Sequence, residues 1–140
     1  MDKLSLIISC VEYYSHIRTV PGNKVFAYFL KDGVIEVIEN TFEISKETNL
    51  DFYMSIIDGY LENVTDPEIG DCKRFEERKA VLPEIVKKIE EKFEISGLEA
   101  LELFYLSNTG VQFSDDSTGL YEKSAEEIFA ILVKEKETEK

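Results

Sequence analysis

The amino-acid sequence predicts a mainly α protein made of two small helical halves, the second with a short β-hairpin. Three observations lead there. Apolar residues recur at i, i+3, i+4 and i+7 in most windows between turn signals, the period of an amphipathic helix. The stretch Thr65 to Asp71 breaks that pattern with Pro67, Gly70 and three acids, which marks a connection near residues 65–75. Val111-Gln112-Phe113 and Gly119-Leu120-Tyr121 flank the turn-forming run Ser114-Asp115-Asp116-Ser117-Thr118, the pattern of a small hairpin. The halves are placed at residues 1–64 and 76–140.

The first helix opens on Leu4, Ile7, Ile8, Val11 and Tyr14, with Leu6, Cys10, Tyr13 and Ile17 as a second stripe beside them. A helix apolar around most of its girth is central to a core. Pro21-Gly22 turns the chain, Val25, Phe26, Phe29 and Leu30 pattern a second helix, and Asp32-Gly33 ends it. Val34, Ile35, Val37 and Ile38 suit a short third helix, although a β-branched run also fits a strand. Thr41 to Asn49 reads as a polar loop, and Tyr53, Ile56, Ile57, Tyr60, Leu61 and Val64 form one face of a fourth helix. In the second half, Leu82, Ile85, Val86, Ile89 and Phe93 share a helical face, with Pro83 in the first turn. Ser96-Gly97 ends that helix, and Leu98, Leu101, Phe104 and Tyr105 begin the next. Ser124-Ala125-Glu126-Glu127 is a capping box for a last helix that buries Ile128, Phe129, Leu132 and Val133.

Charge narrows the function classes. Across 140 residues, 16 basic and 29 acidic side chains give a net charge of −13, with 5 and 10 of them before residue 65 and 11 and 19 after it. Such a field repels phosphate backbones and anionic lipid, so no direct nucleic-acid binding and no membrane association are expected. The N-terminus lacks the basic region and cleavage site of a leader, and no apolar run is long enough for a membrane span, which reads as a cytoplasmic protein. Two cysteines make no zinc site; Cys10 reads as a small buried hydrophobe and Cys72 lies in a polar stretch. His16, the single histidine, falls in the last turn of the first helix, where a cation suits the dipole.

Asp115 and Asp116 are the most polar cluster and the candidate polar loop. Paired carboxylates can divide acid and base roles, but adjacent residues of an extended loop point apart, and the loop lacks the oxygen-ligand spacing of a calcium site. A solvated turn is the plainer reading, with a hydrolase as a third alternative. Tyr13, Tyr14, Tyr28, Tyr53 and Tyr60 are the candidate partner-binding residues. They stand among acids rather than bases, which argues against nucleic-acid stacking and for a protein partner with a basic face.

Residues 4–63, with Ile8-Ser9-Cys10-Val11-Glu12-Tyr13-Tyr14, Val25-Phe26-Ala27-Tyr28-Phe29, Gly33-Val34-Ile35 and Ile56-Ile57-Asp58-Gly59-Tyr60-Leu61, resemble a family of small bacterial helical proteins of unknown function. Residues 82–135, with Leu103-Phe104-Tyr105-Leu106-Ser107, Asp116-Ser117-Thr118-Gly119-Leu120-Tyr121 and Ser124, resemble a second uncharacterised helical module that accompanies the first. The resemblance implies a gene beside that of an ADP-ribosyltransferase-like toxin, and hence an antitoxin or accessory role with that toxin as partner. It transfers no catalytic residue. The expectation is therefore a non-catalytic, acidic protein-binding module with no cofactor and no metal; the alternative is a sensor holding a small molecule or nucleotide between the halves.

Overall fold

The computed structural model describes residues 2–61 and 74–138, which form eight α-helices and two short 3-10 turns. The helices are α1 (Lys3–Arg18), α2 (Gly22–Lys31), α3 (Val34–Ser45), α4 (Leu50–Tyr60), α5 (Phe75–Phe93), α6 (Gly97–Tyr105), α7 (Asn108–Ser114) and α8 (Ala125–Thr138). The 3-10 turns span Asp116–Thr118 and Leu120–Glu122. The connection expected between the halves, Cys72 and Val64 lie outside the described residues.

The mainly helical class holds. Leu6, Ile7, Ile8, Cys10, Val11 and Tyr14 are all at 1 % exposure or less, so α1 has no wide solvated face and packs against α2, α3, α4 and α5. Its contact with α5 joins the two halves of the chain around one continuous core, which also takes Val25, Phe26, Phe29, Ile85, Ile89, Phe104 and Ile128. Helix starts follow local chemistry. Asp2 accepts the Ser5 amide at 2.8 Å, Asn49 accepts those of Asp51 and Phe52, and Ser96 forms a reciprocal capping box with Glu99. The expected Ser124–Glu127 box is present, with the Glu127 amide donating to Ser124 Oγ at 3.2 Å and the Ser124 amide to Glu127 Oε1 at 3.4 Å.

The β-hairpin is not present among the described residues. Val111 and Phe113 belong to α7, and Leu120 and Tyr121 to a 3-10 turn. Two carboxyl and hydroxyl partners decide this. Ser107 accepts the Gly110 amide at 2.9 Å, and Glu135, reaching from α8, accepts the amides of Asn108 and Thr109 at 2.9 and 2.8 Å. Those amides are the orphan donors of a helix start; Ser107 is a local acceptor, but the Glu135 acceptor comes from 26 residues away and is invisible to a local pattern. Gly110 permits the sharp junction with α6, because a Cβ there would stand 2.0 Å from the Phe104 carbonyl oxygen.

Two further expectations shift. Residues 41–45 extend α3 rather than opening a loop. Pro83 is the ninth residue of α5, not a first-turn residue; it faces solvent, where the carbonyl it leaves without a donor can be hydrated.

Candidate functional site

Charge converges at one place inside the molecule. Glu12 stands on the face of α1 that meets α5, and Arg78 projects from the first turns of α5 toward it; both are at 0 % exposure. Arg78 Nε donates to Glu12 Oε1 at 2.8 Å, and its Nη1 donates to Asp116 Oδ1 from the first 3-10 turn. The second Glu12 oxygen accepts the Tyr105 hydroxyl of α6 at 2.5 Å, while the Arg74 amide donates to Asp116 Oδ2 at 3.0 Å. One guanidinium thus ties α5 to α1 and to the 3-10 turn, and Glu12 extends the network to α6. Gly22, the first residue of α2, closes the cluster on another side: a Cβ there would lie 2.8 Å from Glu12 Oε2. Phe26 stacks on the Tyr105 ring at 5.0 Å beside it.

The cluster holds two carboxylates against one guanidinium. Burial pushes the Glu12 carboxyl above its ordinary value of 4.5, and the nearby Asp116 charge adds to the rise; Arg78 and the Tyr105 hydroxyl oppose it without cancelling it. Burial and the Glu12 charge together push Tyr105 well above the usual phenol range. Burial works against the Arg78 charge, but Glu12 and Asp116 outweigh it and the guanidinium is held charged. Such a set can fix helix positions, with Glu12, Arg78 and Tyr105 at 0 % exposure and Asp116 at 9 %.

Asp115 and Asp116 therefore do different things although they are adjacent. Asp115 caps the 3-10 turn, accepting the Ser117 amide at 3.0 Å and hydroxyl at 2.7 Å, as a turn residue should. Asp116 is turned inward, 9 % exposed, as the counter-ion of Arg78. The solvated-turn reading fits Asp115 and fails for Asp116, because the neighbouring residues of the 3-10 turn face opposite environments.

The tyrosines also divide. Tyr14 and Tyr53 are core residues, at 1 % and 0 % exposure, and cannot serve as surface anchors. Tyr14 meets Phe29 edge-on at 5.7 Å, and the Tyr53 hydroxyl donates to the Glu47 carbonyl at 2.7 Å. Tyr13 and Tyr28 are partly buried against the core, Tyr13 donating to Asp51 at 3.1 Å. Tyr60 is 54 % exposed, at the end of α4. His16 stacks on Phe75 at 4.4 Å, and Cys10 is a buried thiol pushed up to about 12 by desolvation, inert toward solvent.

Sequence reasoning missed Glu12 and Arg78. Glu12 carried a signal: it is the single acid within a helix that is apolar nearly all round, so it had no solvated face to occupy. Arg78 carried none, standing in the run Glu76-Glu77-Arg78-Lys79. Among the described residues no cluster of His, Cys, Asp and Glu could hold a metal ion, and no helix is long and apolar enough to cross a membrane. Comparison with protein-family models, with curated proteins and with solved structures gives no match for the chain.

Proposed function

We propose that the chain is a non-catalytic, acidic protein-binding module for a partner with a basic face. The observation that carries this is the sealing of its charged centre. Glu12, Arg78 and Tyr105 have the chemistry of a site but 0 % exposure, which makes them a clamp between helices; acids outnumber bases 29 to 16 over the chain, for a net charge of −13. An antitoxin or accessory role, with an ADP-ribosyltransferase-like toxin as the first partner to examine, is the form of this proposal that the family resemblance favours. The seam between the halves is filled at the described residues by Glu12–Arg78 and by Phe26 against Tyr105, and gives the ligand-sensor reading no support. The test is stopped-flow association with the protein encoded beside it, at low and high salt. The on-rate should fall as salt rises, and a salt-independent rate would overturn the proposal.

A further inference from the structure

One oxygen of the buried cluster differs from the other three. Glu12 Oε1 accepts from Arg78 Nε, Asp116 Oδ1 from Arg78 Nη1 and Asp116 Oδ2 from the Arg74 amide, whereas Glu12 Oε2 accepts from the Tyr105 hydroxyl. A guanidinium and an amide only donate, but a hydroxyl donates or accepts. Glu12 Oε2 is therefore the one of the four that can carry a proton without setting donor against donor. The charge count calls for that proton, because two carboxylates against one guanidinium leave a negative charge uncompensated at a residue of 0 % exposure. The groups that face Glu12 are Arg78 of α5, Tyr105 of α6 and Asp116 of the first 3-10 turn. On the remaining sides α2 meets it with Gly22, α3 and α4 bring Glu43, Asp51 and Asp58 to Lys3, Tyr13 and Arg18 of α1, and the Arg74 guanidinium pairs with Glu77 at 3.7 Å.

The geometry points to a pH-sensitive catch between the two halves of the chain: Glu12 Oε2 binds a proton that Tyr105 accepts, and loss of that proton loosens the 3-10 turn that carries Asp116. On ionisation the Oε2–H bond breaks, the proton passes to water, and the Tyr105 hydroxyl turns round to donate. Glu12 and Asp116, both charged, then repel one another across a single guanidinium. The cluster lies nearest to water at Asp116, 9 % exposed against 0 % for Glu12, Arg78 and Tyr105, so hydration of the excess charge draws on that side. Asp116–Thr118 is a single three-residue turn and yields before the helices do. The catch goes beyond the binding-module reading and stands without it.

The test titrates the full chain by NMR. In the native protein the Glu12 side-chain carboxyl carbon should shift with a midpoint above 4.5, and the Tyr105 ring carbon that bears the hydroxyl should follow at the same midpoint as its hydrogen bond reverses. Amide hydrogen exchange reads the catch. Exchange over residues 116–122, taken relative to α3 of the same chain so that the base catalysis of exchange cancels, should rise by up to roughly tenfold per pH unit and level off above the midpoint. Glu12→Gln should remove that rise, and Asp116→Asn, which removes the excess negative charge, should bring the Glu12 midpoint down. A native Glu12 midpoint at or below 4.5 would overturn the proton assignment, as would a Tyr105 signal that does not follow it. A raised midpoint with a flat exchange ratio would mean a buried proton without a catch and end the inference. These native titrations need no variant, so they decide the matter even where a substituted chain does not fold. An exchange rise that Glu12→Gln retains, or a midpoint that Asp116→Asn leaves in place, would contradict it equally.

Discussion

The seam between α1 and α5 and the outer face of α3 and α4 use the same side chains in opposite settings. In the seam, Arg78 is buried with Glu12 and Asp116, and each of the four carboxylate oxygens meets one specific donor, while Arg78 Nη2 is buried without a partner. On the outer face, Arg18 pairs with Asp58 and Lys3 with Glu43 while all four remain about half exposed. The difference teaches that location, not residue type, decides whether a charge holds the fold or remains available to a partner. A buried pair is costly to break because it leaves an uncompensated ion, whereas an exposed pair is replaced by water.

The largest expected effect follows directly. Arg78→Met should cost about 3–5 kcal/mol, since it leaves two carboxylates buried without a counter-charge, while Arg18→Met should cost about 0–1 kcal/mol. Equilibrium denaturation of both variants measures the gap. Equal losses would mean that the seam is hydrated and that the two settings do not differ.

How much of this was legible in the sequence differs between the same two regions. The helices were readable because their apolar spacing is local: Leu82, Ile85, Val86 and Ile89 are all fully buried on α5, as their period requires. The β-hairpin expectation failed because Val111 and Phe113 alternate over too few residues to separate strand from helix, and the Ser107 cap of α7 is completed by Glu135 on another helix. The seam was unreadable for the same reason at greater range, since Glu12 and Arg78 stand 66 residues apart. Exposed Tyr60 and buried Tyr53 stand seven residues apart on one angular face of α4 and separate only by position along it, Tyr60 being the last residue of the helix.

A smaller effect sharpens the contrast through pH. Glu12 has its pKa raised above 4.5 by burial, so the folded chain holds that proton more tightly than the unfolded chain. The stability it contributes is fully present below 4.5 and is lost as pH rises through the raised folded value. Glu135 acts in the opposite sense. Burial works against its charge, but the Thr109 hydroxyl and the amides of Asn108 and Thr109 hold its carboxyl below the ordinary value, so its contribution is present above 4.5 and lost as pH falls. Glu12→Gln should therefore flatten the decline of stability on the alkaline side and leave the acid limb in place. Urea midpoints across the pH range would show this, and an unchanged alkaline limb would place the Glu12 proton elsewhere.

The adjacent pair Asp115 and Asp116 offers the most direct measurement of whether burial sorts structural from available charge, because sequence neighbourhood and residue type are identical. The unfolding free energies of Asp115→Asn and Asp116→Asn should differ. At position 115 the amide oxygen can still accept from Ser117, and the loss should stay within about 0.5 kcal/mol. At position 116 the new amide nitrogen would face either the Arg74 amide or the Arg78 guanidinium, donor against donor, and the loss should be about 1–3 kcal/mol. Equal losses at the two positions would contradict the assignment of Asp116, Arg78 and Glu12 to a buried structural clamp.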